Sequence, residues 1–151
     1  MLTQKNGYGC GLYAVANALN LKNFVTDERL EDSKNGIGNG KLNKLLFEDG
    51  FDIFIDVIYL DSQQNSLPEN WCKLYSEKQG EILPILIQCK INEKFHLMGA
   101  KLLNEAGKIE LFDSLKTESI FCTLSDVNKM YENVFGIYSF NKIENSEYIA
   151  L

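Results

Sequence analysis

The chain carries a group of side chains suited to attack by a thiol on a carbonyl group. Cys10 stands just before an apolar segment, and His96 is the single histidine among 151 residues. An imidazole can activate a thiol, and a carboxylate such as that of Asp113 can orient the imidazole. The side-chain amide of Gln4 would add a donor for a developing oxyanion. These residues predict cysteine-nucleophile chemistry, with the Cys10 backbone N–H as the second oxyanion donor.

Cys10 is placed where a helix should begin. Helix-start amides and the helix dipole favour negative charge, so they should lower the pKa of the thiol, as should a nearby imidazolium. Ala14 and Ala18 are small and would let this helix approach a neighbouring layer. Gly9 and Gly11 flank the thiol, and we expect them to leave room for a substrate backbone. The apolar stripe of this helix has the spacing i, i+3, i+4 and i+7: Leu12, Val15, Ala16 and Leu19.

The other half of the candidate site is predicted on a β-hairpin. Residues 95–103 form an apolar run, residues 104–107 are a turn signal, and residues 109–112 form a second strand. His96 lies near the start of the first strand, and Asp113 follows the second. Antiparallel pairing should bring the two together. Asp113 would then accept a hydrogen bond from the imidazole and fix its tautomer.

The remaining pattern predicts one α+β domain over residues 1–151, with N-terminal helices packed on an antiparallel sheet. The helix of Cys10 should lie on the sheet of His96 and Asp113, with the site in the groove between them. Tyr8, Tyr13 and Phe95 are candidate walls of that groove. The other predicted elements are a helix capped by Thr26, a helix ending at residues 49–50, a strand at 53–60, a helix at 68–78, a strand from Pro84, a helix from the capping box at 123–126 to about 133, and a strand at 134–140.

Residues 35–40 alternate glycine with other residues and superficially resemble a phosphate-binding loop. No strand directly precedes them, and no Gly-Lys-Ser or Gly-Lys-Thr ending follows. We interpret this segment as a rim of the cleft.

Composition and charge argue against some classes of binding partner. The chain has 15 basic and 21 acidic residues, a formal net charge of −6, and 45% hydrophobic residues. An acidic balance with no basic face argues against nucleic acid or an anionic membrane as partner. The N-terminus shows no secretory signal, and no apolar run reaches the length of a membrane span.

The four cysteines are widely spaced and form no zinc-binding pattern. We expect Cys72, Cys89 and Cys122 to be buried thiols, and we expect no metal or cofactor. A reducing, cytoplasmic setting suits a thiol nucleophile. The lysine- and asparagine-rich composition, with a single arginine, suggests an AT-rich bacterial or phage genome.

These motifs together resemble papain-like cysteine peptidases. The shared features are Gln4, five intervening residues, Cys10-Gly11 with an alanine-rich helix, the strand from Pro84, His96, and a hairpin ending at Asp113. The subgroup that is most similar processes bacteriocins after double-glycine leaders. The resemblance implies a papain-like fold, with Gln4 at the oxyanion hole, Cys10 as nucleophile, His96 as base and Asp113 as the orienting carboxylate.

The resemblance leaves three functions open. The first is hydrolysis of a peptide or isopeptide bond in a specific protein or peptide substrate. The second is deamidation or acyl transfer on a protein side chain with the same thiol, because either water or an amine can resolve an acyl-enzyme. The third is a non-catalytic binding domain on this fold. No inhibitory segment is evident before Cys10, so we expect a narrow substrate, dependence on an activating or scaffold partner, or a reaction other than general proteolysis.

Overall fold

The structure is a computed structural model that describes residues 1–5, 7–60, 82–103, 107–131 and 134–143. The helix predicted at 68–78, with Cys72, lies outside the described residues. The architecture is α+β, as the sequence predicts. In chain order the elements are α1 (Cys10–Leu19), α2 (Asp27–Asp32), α3 (Asn39–Glu48), β1 (Ile53–Leu60), β2 (Leu83–Ile91), β3 (Lys94–Leu102), β4 (Lys108–Phe112), β5 (Ile120–Thr123), α4 (Leu124–Met130) and β6 (Val134–Lys142).

The described strands form one sheet in the order β1-β6-β2-β3-β4-β5, and every neighbouring pair is antiparallel. β2 and β3 make a tight hairpin whose turn residues, Asn92 and Glu93, have φ of 50° and 68°. Two residues with positive φ give the turn type that matches the natural twist of paired strands. The late strand β6 inserts between β1 and β2. The sheet therefore depends on a pairing between segments that are far apart in sequence.

The two faces of the sheet bury different apolar sets. Leu86 and Leu97 belong to the cluster shared with α1 and α3, whereas Ile85 and Ile87 belong to the cluster shared with α4. Since alternate residues of a strand point to opposite faces, β2 is apolar almost throughout because both of its faces are covered. This burial fixes α1 against the middle of the sheet.

Helix α1 packs very closely on β3, as its small residues predict. A Cβ atom on Gly99 would collide with the backbone oxygen of Ala14 and would meet the backbone nitrogen of Ala18 at 3.0 Å. Glycine is therefore required in β3 at this crossing. The close approach brings the N-terminus of α1, and with it Cys10, to the strand that carries His96.

The two helix caps that the sequence predicts are present in the structure. The side chain of Thr26 accepts a hydrogen bond from the Arg29 N–H, and Thr123 and Asp126 form a reciprocal capping box at the start of α4. The predicted end of α4 near residue 133 is wrong. The helix ends at Met130 because Tyr131 is already extended, with φ −118° and ψ 161°.

Some of the predicted strand boundaries match the structure, and others differ from it by a few residues. β1 has the predicted bounds, β2 begins one residue before Pro84, and β6 continues past the predicted end at residue 140. β5 was not predicted. In the part of the chain that the structure describes, no helix is both long and apolar enough to cross a membrane.

Candidate active site

His96 and Asp113 meet at the end of the β3–β4 pair. The register pairs Gly99 with Phe112, so Asp113, the next residue, emerges beside the first half of β3. The His96 Nε2 and Asp113 Oδ1 atoms are 2.8 Å apart, and the two residues are only 5% and 3% exposed. The predicted contact across the hairpin is therefore present in the structure, and it is shielded from water.

Three donors hold the Asp113 carboxylate. Besides the imidazole, the Leu115 N–H donates to Oδ1 at 3.0 Å, and the Tyr131 hydroxyl donates to Oδ2 at 2.6 Å. Burial alone would raise the pKa of Asp113, but the hydrogen bonds from His96, Tyr131 and Leu115 bring the pKa below its usual value. Asp113 therefore stays ionised and presents a fixed acceptor to the imidazole.

Cys10 is the first residue of α1, and its side chain is half-buried. Gly9 caps the helix in the left-handed region, at φ 89°. The side chain of His96 lies close enough to the thiol to interact with it and lower its pKa. Because Nε2 of His96 is engaged by Asp113, Nδ1 is the ring nitrogen that serves the thiol. The carboxylate and the thiol are thus both partners of one imidazole.

The two glycines beside Cys10 have a packing role at the start of α1. A Cβ atom on Gly9 would lie 2.6 Å from Leu30 Cδ2, and one on Gly11 would lie 2.7 Å from Ile37 Cγ2. The absence of a Cβ therefore allows the segments of Leu30 and Ile37 to pack tightly around the start of α1. Both glycines also line an open groove beside Cys10, and the room expected there for a substrate backbone stays a prediction.

The electrostatics of Cys10 and His96 are coupled. Burial would raise the pKa of Cys10, but the bond from His96, the Leu97 N–H and the imidazolium charge lower it overall. Burial would lower the pKa of His96, but Asp113 and Cys10 raise it to about 9. Both directions favour a thiolate beside an imidazolium. By contrast, burial raises the pKa of Cys89 to about 12.

Gln4 is anchored to the residue that follows Asp113. The Gln4 backbone N–H donates to the Ser114 oxygen at 2.6 Å, and the Ser114 hydroxyl donates to Gln4 Oε1 at 2.8 Å. Upstream, Leu2 exchanges two hydrogen bonds with the side chain of Asn17 on α1, at 2.6 and 3.0 Å. The segment before α1 is thus held between the helix and the turn after β4. This arrangement places Gln4 in the same part of the molecule as the other three candidates.

A groove of about 260 Å³ opens beside Cys10. Phe95, 60% exposed, lines it, whereas Tyr13 is buried in the core and is not the predicted wall. Four residues of the segment 35–40 line the groove. The prediction that this segment forms a rim of the cleft is therefore confirmed. None of the lining residues is an acid, a lysine or an arginine; they are Gly9, Cys10, Gly11, Ser33, Gly36, Ile37, Gly38, Asn39, Gln88, Phe95, Leu97 and Tyr138.

Three of the groups that sequence reasoning missed reach the candidate residues from elsewhere in the fold. These are the Ser114 hydroxyl, the Tyr131 hydroxyl and the Leu97 backbone N–H. Each contact depends on tertiary packing. Only Ser114 gave any signal, through its position next to Asp113.

Replacing Tyr131 by phenylalanine should destabilise the protein by about 1.5–3 kcal/mol, the range for a hydrogen bond to a charged group. Tyr138→Phe is the matched control, because its hydroxyl donates to the neutral Gln88 Oε1 at 3.0 Å. The control should cost only about 0.5–1.5 kcal/mol. Urea denaturation of both variants gives the two free energies of unfolding. A loss for Tyr131→Phe no larger than that for Tyr138→Phe would contradict an ionised Asp113.

The described part of the chain contains no cluster of three or more histidine, cysteine, aspartate or glutamate side chains that could hold a metal ion. Of the four cysteines, Cys10, Cys89 and Cys122 are free thiols within that part, with Cys89 fully buried and Cys122 half-buried. No protein-family model matches the chain, and no curated protein sequence matches it at a significant level.

Proposed function

We propose that this protein is a papain-like thiol hydrolase that cleaves a peptide or isopeptide bond in a specific protein partner. The observation that carries the proposal is the buried His96, whose Nε2 is 2.8 Å from Asp113 Oδ1 and whose ring also interacts with the Cys10 thiol. A histidine with only a structural role would not need a partly exposed thiol on one side and a buried carboxylate on the other.

In the proposed acylation step, the Cys10 thiolate attacks the carbonyl carbon of the substrate, and the carbonyl electron pair moves to oxygen. The Gln4 amide and the Cys10 backbone N–H stabilise that oxyanion. The tetrahedral intermediate then collapses and its C–N bond breaks. The imidazolium of His96 gives its proton to the leaving amine. The products of this step are the free amine and a thioester on Cys10.

In the proposed deacylation step, neutral His96 takes a proton from water as the water oxygen attacks the thioester carbonyl. The second tetrahedral intermediate expels the Cys10 thiolate and releases a carboxylic acid. The proton remains on His96, which restores the ion pair. Asp113 stays ionised throughout and stabilises the imidazolium.

The arrangement of elements supports the papain-like part of the proposal. The candidate nucleophile begins a helix that packs on an antiparallel sheet. The candidate base lies on β3, and the candidate carboxylate directly follows the adjacent strand β4. Nε2 of the imidazole bonds the carboxylate, which leaves Nδ1 for the thiol. The chain order Gln4, Cys10, His96, Asp113 is also that of the family it resembles.

Cys10 should be the thiol that iodoacetamide alkylates fastest in the folded protein. Its pKa is lowered, whereas burial raises the pKa of Cys89 to about 12 and that of Cys122 to about 11. Only thiolates react, so the three thiols should separate clearly at neutral pH. Brief labelling followed by peptide mapping gives the order. Faster labelling of Cys72, Cys89 or Cys122 would contradict the assignment.

Acylation by p-nitrophenyl acetate tests the hydrolase itself. The wild type should release p-nitrophenolate and carry an acetyl group on Cys10, detectable by mass spectrometry, whereas Cys10→Ala should do neither. Added hydroxylamine should compete with water if an amine can also resolve the thioester. A protein that is not acylated at Cys10 would instead match the non-catalytic binding domain.

A further inference from the structure

Gln4 can stabilise an oxyanion only if its amide is turned the right way. The nitrogen end of a glutamine amide donates hydrogen bonds, and the oxygen end only accepts them. The terminal torsion of glutamine is broad, so an unrestrained side chain samples both orientations. Some other group must therefore select the productive orientation.

Ser114 contacts the oxygen end of this amide. Its hydroxyl donates to Gln4 Oε1 at 2.8 Å, and its backbone oxygen accepts from the Gln4 N–H at 2.6 Å. Ser114 is only 1% exposed, so water does not compete for these bonds. Two contacts thus fix both the backbone and the side chain of Gln4.

The same turn also positions the rest of the site. Asp113 accepts from the Leu115 N–H through its side chain and from the Lys116 N–H through its backbone oxygen, at 3.0 and 2.9 Å. Thr3 adds a hydrogen bond from its hydroxyl to the Lys116 oxygen at 3.2 Å. One short turn after β4 therefore holds the carboxylate that orients His96 and the serine that orients Gln4.

We propose that Ser114 is a positioning residue that aims the Gln4 amide at the oxyanion of the acylation step. This inference rests on the proposed function. The described side-chain bond of Ser114 goes to Gln4 and not to Cys10 or His96. Ser114 would therefore affect the reaction by orienting Gln4. Loss of its hydroxyl should slow only those reactions of Cys10 that develop an oxyanion.

Two probes separate that role from a structural one. Acylation by p-nitrophenyl acetate passes through a tetrahedral oxyanion, whereas alkylation by iodoacetamide is a direct displacement at carbon and forms none. Ser114→Ala should slow acylation roughly 3- to 10-fold, the value of one hydrogen bond. It should leave the rate of Cys10 alkylation unchanged. Ser114→Thr keeps the hydroxyl and should keep wild-type acylation.

Ser119→Ala is the matched control, because it removes a nearby serine hydroxyl that donates to Glu110 at 2.7 Å. It should affect neither probe. In a double-mutant cycle, adding Ser114→Ala to Gln4→Ala should have no further effect, since the group it orients is gone.

Three results would overturn the inference while leaving the thiol hydrolase intact: acylation undiminished by Ser114→Ala, both probes slowed equally, or effects of Ser114→Ala and Gln4→Ala that multiply. A wild-type protein with no Cys10-dependent acylation would overturn the proposed function and this inference together.

Discussion

Gln4→Ala should slow acylation of Cys10 by p-nitrophenyl acetate about 100- to 1000-fold, the usual cost of removing one oxyanion donor. The alkylation rate with iodoacetamide should not change, because that reaction develops no negative charge on a carbonyl oxygen. The physical reason is the fixed amide: Ser114 already holds its oxygen end. A stopped-flow measurement of p-nitrophenolate release gives the acylation rate.

Gln4→Glu is the informative second variant. Its side chain has nearly the same shape, and Ser114 can still donate to it, but it offers a negative charge where a donor is needed. We expect acylation at least as slow as in Gln4→Ala. Undiminished acylation in both variants would remove Gln4 from the site.

His96→Ala should lower the alkylation rate of Cys10 at neutral pH roughly 10- to 100-fold. Without His96, the hydrogen bond and the positive charge that lower the thiol pKa are lost, while burial, which raises it, remains. Most of the thiol would then be protonated. The alkylation rate should fall by a smaller factor than the thiolate fraction does, because a thiolate of higher pKa is intrinsically more nucleophilic.

The buried thiol of Cys89 supplies an internal control in the same sample. Cys89 is 0% exposed and is the register partner of His96 on β2. Its slow labelling should persist in His96→Ala if the fold is intact. Rapid labelling of Cys89 would show that the variant has opened the sheet. An unchanged Cys10 rate beside a protected Cys89 would contradict a functional pair.

Local patterns predicted much of the fold. The apolar spacing after Cys10 predicts α1, and the polar residues Thr26 and Thr123 predict two caps. Three residues of the turn predicted at 104–107 lie outside the described residues. These signals work because a helix start, a cap or a tight turn depends on neighbours in sequence. The contact between His96 and Asp113 was predictable for the same reason, since a short hairpin joins the strands that carry them.

The missed features depend on long-range packing. The place of β6 between β1 and β2 is set by the whole sheet, and β5 is a short strand with weak alternation. Gly11 has its role because Ile37, from a distant loop, packs on it. Ser114 contacts Gln4, and Tyr131 contacts Asp113, through the packing of distant segments. No local spacing in the sequence therefore marks these two residues.

The most direct test of the central claim is the pH dependence of Cys10 alkylation in the wild type and in His96→Ala. In the wild type the rate should rise through a pKa well below the ordinary thiol value of 9.0, because His96 stabilises the thiolate. Amide turnover should also fall as pH rises through about 9, where His96 loses the proton that the leaving amine requires. In His96→Ala the alkylation profile should move to higher pH, toward that of an ordinary thiol. Superimposable profiles would mean that Cys10 and His96 do not form a pair, and the proposed chemistry would be wrong.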